Sequence, residues 1–119
     1  MGNTILLTKY HPSELRDIEK AETRQISLLG GAIGMQIVQE QYGWWDEENQ
    51  KAVNTVTTLR IEKPVSFEEA RKIYFQQIWN RLQEGFVHSR SYSFIEQRFV
   101  YRDLTRFTFA DLCAGRLMN

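Results

Sequence analysis

Cysteine is almost missing from this 119-residue chain: Cys113 stands alone. No internal disulfide can therefore staple the fold, and stability must come from packing, as in a reducing compartment. Histidine occurs only at His11 and His88, which together with one cysteine make no metal-ligand constellation. Net charge is missing too. Fifteen Lys/Arg balance fifteen Asp/Glu, which removes the basic field that holds duplex nucleic acid by counterion release. There is no long apolar run. The longest charge-free stretch, Gln25 to Gln39, has 15 residues and includes three glutamines and three glycines, short of the ~20 apolar residues that cross a bilayer. It reads as a buried helix, and no membrane association is expected. Met1 to Leu7 has neither a basic start nor a long apolar core, so it does not read as a secretory signal. Lysine is absent after Lys72.

Against those absences, 42% hydrophobic and 25% charged residues are ordinary globular values. The length suits one domain, residues 1–119. The expected class is α+β: two main helices packed on a small antiparallel sheet, with a C-terminal hairpin and a short helix. Pro12-Ser13 followed by Glu14 and Asp17 predicts a helix start. Leu15, Ile18, Ile26, Leu29, Ile33 and Ile37 fall at spacings of three, four or their sums, which extends that helix over about 13–42, to a stop at Gly43. Gly30, Gly31 and Gly34 would each cost about 1 kcal/mol inside it. Either close packing against bare backbone or a kink or break is required there. Val53, Thr55, Val56, Thr57, Thr58 and Ile61 predict a strand over about 52–62, ended by Lys63-Pro64. Ser66-Phe67-Glu68-Glu69 is a capping-box sequence, with Val65 placed to staple onto Ala70, and it opens a second helix over about 67–84 that Gly85 closes.

After Gly85 the pattern changes to period two. Tyr92 and Phe94 share one face and Phe99 and Tyr101 another, with Ile95-Glu96-Gln97 as the turn, which predicts a β-hairpin. Thr108-x-x-Asp111 then caps a short final helix. Five rings (Tyr92, Phe94, Phe99, Tyr101, Phe107) are interleaved with Arg90, Arg98, Arg102 and Arg106. Rings give rigid contact area and guanidinium groups stack and hydrogen-bond in a planar fork, so this mixture suits a surface that grips a partner. Period two alone would also produce it, with rings in a core and arginines solvated. Trp44-Trp45 cannot both be buried on one face, so one is expected at a rim or interface. The expected interaction surface is therefore Trp44, Trp45, Arg90, Tyr92, Arg98, Tyr101, Arg102 and Arg106.

No reaction is encoded by spacing. His11 lacks a nucleophile and an orienting group beside it, and pairing His88 with Cys113 would rest on tertiary placement alone. Asp46, Glu47 and Glu48 lack the alternation of a calcium loop and read as a solvated acidic loop. Gly30-Gly31-x-x-Gly34 has no Lys-Ser/Thr after it and no expected strand before it, so it is not a phosphate loop. No catalytic residue, metal or cofactor is expected, and the chain reads as no enzyme. Its expected partners are proteins, neighbouring or identical chains, in preference to nucleic acid.

The last third resembles the gpW-like small head-completion and head-tail joining proteins of bacteriophages. The residues that carry this are Glu69-Ala70, Gly85, Ser91-Tyr92-Ser93-Phe94, Arg106 and Thr108-Phe109-Ala110-Asp111-Leu112. The resemblance implies a structural, non-enzymatic virion part, a head-tail connector, made in the cytoplasm and incorporated in a particle. The reading from the residues alone adds an alternative: a small binding or inhibitor module that recognises a protein or single-stranded nucleic acid through the Arg/aromatic hairpin.

Overall fold

The structure is a computed structural model describing residues 3–9, 21–30, 36–46, 48–49, 51–63, 66–93 and 95–114, with backbone alone for 3, 36, 55, 58–63, 91–93 and 98–101. Its strands are β1 (Asn3–Lys9), β2 (Glu22–Gly30), β3 (Gln36–Asp46), β4 (Lys51–Lys63), β5 (His88–Ser93) and β6 (Arg98–Asp103); its helices are α1 (Phe67–Gln83) and α2 (Phe109–Cys113). The strands form one antiparallel sheet in the order β4-β3-β2-β1-β5-β6. Since neighbours alternate in direction, β4 and β5 point the same way, and α1 is the crossover that joins them over three intervening strands.

This overturns the expectation of two main helices on a small sheet. Where a helix was expected over 13–42, the described residues form β2 and β3, paired from Glu22↔Trp44 to Gly30↔Gln36. The reason is physical. Three glycines inside one helix would cost about 3 kcal/mol together, whereas here β2 ends at Gly30 and β3 begins at Gln36. The helical spacing of Ile26, Leu29 and Ile37 is a coincidence of two strands. Gln25-Ile26-Ser27-Leu28 alternates, with Ile26 and Leu28 in the core against α1, but Leu29, 37% exposed on the Ser27 side, interrupts the period-two pattern that identifies a strand. The proposed helix start at Pro12-Ser13, with His11, Gly31, Gly34, Pro64, Val65 and Phe94, lies outside the described residues.

The other elements follow local chemistry. Ser66 Oγ accepts the Glu69 N–H at 3.1 Å, and α1 ends with Gly85 at φ 104. Gly85 N–H donates to Leu82 O and Phe86 N–H to Arg81 O, both at 3.1 Å, the two bonds of a Schellman motif, which needs a left-handed residue at Gly85. At α2 the capping box is reciprocal: Asp111 N–H donates to Thr108 Oγ1 at 3.1 Å and Thr108 N–H to Asp111 Oδ2 at 2.9 Å. The β5–β6 hairpin turns through Ile95-Glu96-Gln97, with Gln97 at φ 54.

Helix α1 lays Ala70, Tyr74, Phe75, Ile78 and Leu82 against Leu7, Ile26, Leu28 and Val38 of the sheet, and Phe86, Leu104 and Leu112 close the core. Within this wall sits a charge. Glu40 of β3 has no exposed surface; Arg81 meets it through Nε at 2.6 Å and a second nitrogen at 2.9 Å, and Gln77 Nε2 adds a bond at 3.0 Å. Arg81 also bonds the exposed Glu84. A buried carboxylate is tolerated only with such partners. Replacing Arg81 with alanine strands the Glu40 charge and should cost about 3 kcal/mol. Glu84→Ala, which removes an exposed partner, should change stability by less than about 0.5 kcal/mol. Urea midpoints at an unchanged denaturant slope measure both.

Tyr74 supplies a second expectation. Its hydroxyl is buried with no hydrogen-bond partner among the described residues, and burial raises its pKa above the ordinary tyrosine value. The unfolded state therefore loses this proton first, so Tyr74's contribution is intact below about pH 10 and fades above it, by roughly 1.4 kcal/mol per pH unit. Absorbance at 295 nm should show one of the five tyrosines ionising only as the protein unfolds.

Candidate functional site

Strand β3 changes its relation to β4 halfway along. Glu40 faces Leu59, but Gln41 faces Thr57 and, after Tyr42↔Val56, Gly43 faces Asn54. Two bulges therefore skip Thr58 and Thr55 and press β4 onto β3. A Cβ at Gly43 would lie 2.0 Å from Val53 O, so only glycine fits there. On that side of the sheet Asn54 Nδ2 donates to Gln25 Oε1 at 2.9 Å.

Beyond the bulges, Tyr42, Trp44 and Asp46 follow one another at period two and share the α1 side of the sheet with Glu22, which pairs with Trp44. The β3–β4 turn is tied by Asp46, whose carboxylate accepts Asn49 Nδ2 at 2.8 Å and Asn49 N–H at 3.2 Å. Those bonds, the side-chain one foremost, hold the Asp46 carboxyl below the usual carboxylate range. Glu48 is exposed in the same turn. Together Glu22, Tyr42, Trp44, Asp46 and Glu48, with Gly43 and Trp45, line an open cleft of about 470 Å³. Trp44 is 42% exposed. The Arg24 guanidinium lies between two rings, 4.1 Å from the Tyr42 centroid and 4.7 Å from that of Phe86.

The other tryptophan turns the opposite way. Trp45 is fully buried, and the guanidinium of Arg90, itself 3% exposed, stacks 4.1 Å from its ring. Room for the indole comes from the row Gly43–Thr23–Thr8 on that face, where Thr8 and Thr23 are also fully buried. Trp45 and Arg90 thus meet each other inside the molecule and not on a surface. Of the other residues expected to contact a partner, Arg102 and Arg106 are exposed, and Arg102 lies 5.8 Å from the Phe107 centroid. The side chains of Tyr92, Arg98 and Tyr101 fall outside the described residues. The surface expected from Trp44-Trp45 and the hairpin is consequently divided: Trp44 is near one edge of the sheet, and Arg102 and Arg106 at the other.

Cys113 packs against the core from α2, and His88 faces Asp103 across β5–β6. Among the described residues no group of three or more His, Cys, Asp or Glu is placed to hold a metal ion, and no helix is long and apolar enough to cross a membrane. Sequence reasoning missed Glu22 and Tyr42 as parts of a site. The available signal was the spacing Tyr42-x-Trp44-x-Asp46, which marks one face only once the segment is taken as a strand.

Comparison of the chain with protein-family models, curated proteins and solved structures returns no match.

The two tryptophans should separate cleanly in stability measurements. Trp45→Ala empties a buried site and should cost about 4 kcal/mol; Trp44→Ala should stay within about 0.5 kcal/mol of the parent. Chemical denaturation of the two variants checks this.

Proposed function

We propose that this chain is a non-enzymatic assembly protein that works by holding a protein partner on the surface around Trp44. The observation that carries the reading is the large exposed indole beside Tyr42 at the mouth of a preformed cleft, since tryptophan and tyrosine are the usual anchors of protein interfaces. The apolar area extends onto β4. Val53 pairs with Trp44 and Val56 with Tyr42, and Val56 is 54% exposed, because α1 packs on β2 and β3. A contiguous exposed apolar patch rimmed by carboxylates is characteristic of a docking surface. The setting implied by the resemblance of residues 69–112 is a bacteriophage head-tail connector, where such a surface would join neighbouring subunits.

A photo-crosslinking amino acid placed at position 44 or 56 in the producing cell tests the reading. Defined protein adducts are expected at both positions, and none with the same group at Glu68, exposed on α1. Absence of adducts from 44 and 56 would contradict the proposal. In a reconstituted complex, Trp44→Ala should weaken association by about 2 kcal/mol.

A further inference from the structure

Among the described residues the sheet has two open edges, β4 and β6. They differ in kind. Strand β6 has 6 residues, with arginines at positions 98 and 102, the short and charged form in which an edge is protected from pairing. Strand β4 has 13 residues and carries no charge from Ala52 to Leu59, and its Val56 and Thr57 are exposed. An edge of that length presents a row of backbone N–H and C=O groups to a further strand. The two bulges interrupt its regularity as far as Thr58, but from Leu59↔Glu40 to Lys63↔Gln36 the register against β3 runs unbroken.

That regular stretch, Leu59-Arg60-Ile61-Glu62-Lys63, is its own complement. When two copies of it run antiparallel and are centred on Ile61, position 60 of each stands opposite position 62 of the other, so a basic residue meets an acidic one twice, with Ile61 opposite Ile61 between them. Opposite charges directly across a strand pair stabilise it, and like charges destabilise it. Centring the pair on Arg60 or on Glu62 instead would set a charge against its own copy. Within the chain, the β3 partners of positions 60 and 62 are Gln39 and Ile37, so β3 sets no charge opposite either. Ile61 pairs with Val38, which lies in the core under α1; position 61 is therefore on the α1 face, and 60 and 62 are on the other. Phe67 opens α1 four residues past the end of β4 and is 53% exposed, so the corner of the sheet next to this stretch also carries an uncovered ring.

We propose that β4 pairs with β4 of a second copy of this chain, antiparallel and centred on Ile61, so that the two sheets join into one across a two-fold axis with both α1 helices on the same face. Because each copy offers the same edge, the contact is isologous and closes at a dimer. It is separate from the Trp44 surface and does not rest on it: Trp44 lies six residues along β3 from Val38, roughly 20 Å away.

Sedimentation velocity of the full chain, with circular dichroism to check folding, should show a dimer. Arg60→Glu sets like charges opposite each other at both positions and should weaken association at least roughly tenfold, and Glu62→Arg should do the same with the opposite sign. An equimolar mixture of these two variants regains both opposite-charge pairs and should form a mixed dimer; the double exchange Arg60→Glu with Glu62→Arg in one chain should associate as the wild type does. Trp44→Ala should leave the dimer intact. A second measurement places the axis. In chains carrying Cys113→Ser, Ile61→Cys should link copies by a disulfide on oxidation, since residues opposed across a strand pair lie about 5 Å apart, whereas Thr57→Cys, exposed but roughly 20 Å from its counterpart, should not. A wild type that stays monomeric, variants whose mixture forms no mixed dimer, or linkage at position 57 in place of 61 overturns the inference. A dimer that is lost with Trp44→Ala and indifferent to the exchange at 60 and 62 overturns it too, and leaves the docking function of the Trp44 surface standing.

Discussion

Glu40 is a carboxylate in the wall of the hydrophobic core, and the rest of the structure is arranged around neutralising it. Its two oxygens take bonds from Arg81 and Gln77, both one turn apart on the same side of α1. The pairing fixes where the crossover helix lies on the sheet. It also fixes β3. A slip of one residue would send Glu40 to the opposite face, away from Arg81 and Gln77, and break the pairing of a fully buried carboxylate. Ile26, Leu28 and Val38 reach the core only in the same register, and the ion pair adds its own discrimination against a slip to that of apolar burial.

The register has a consequence one turn of strand further on. With Val38 and Glu40 facing α1, Tyr42, Trp44 and Asp46 must face the same way, and Trp45 must face the other. The helix covers the first two positions and stops short of the rest. At the bulges at Glu40/Gln41 and Tyr42/Gly43, β4 comes so close to Gly43 that a Cβ there would meet Val53 O. One buried salt bridge thereby connects the packing of the core to the exposure of Trp44. The stacking of Arg90 on Trp45 does the corresponding work on the other face, taking a guanidinium that sequence reasoning assigned to a surface and using it inside the fold.

Legibility followed the locality of the signals. Ser66 and Gly85 bound α1, Thr108 and Asp111 bound α2, and the β-branched run of β4 and the period-two hairpin could be read within a few residues. Residues 22–46 could not. The alternation of Gln25-Ile26-Ser27-Leu28 is broken by Leu29, an exposed apolar residue on the Ser27 side, and Ile26, Leu29 and Ile37 fall by chance on a helical face. The glycines carried the contrary signal: their cost in a helix called for close packing, a kink or a break, and β2 ends at Gly30. The exposed member of the tryptophan pair could be anticipated, but which one depends on the Glu40–Arg81 register, a contact 41 residues apart in sequence. The cleft was invisible for the same reason, since Glu22 reaches Trp44 only through pairing of β2 with β3.

Hydroxyl-radical footprinting of the two tryptophans, read by mass spectrometry, bears most directly on this account. Trp44, 42% exposed, should oxidise readily, while Trp45, fully buried, stays protected as long as the protein is folded. Equal reactivity of Trp44 and Trp45 would contradict the register that Glu40 imposes.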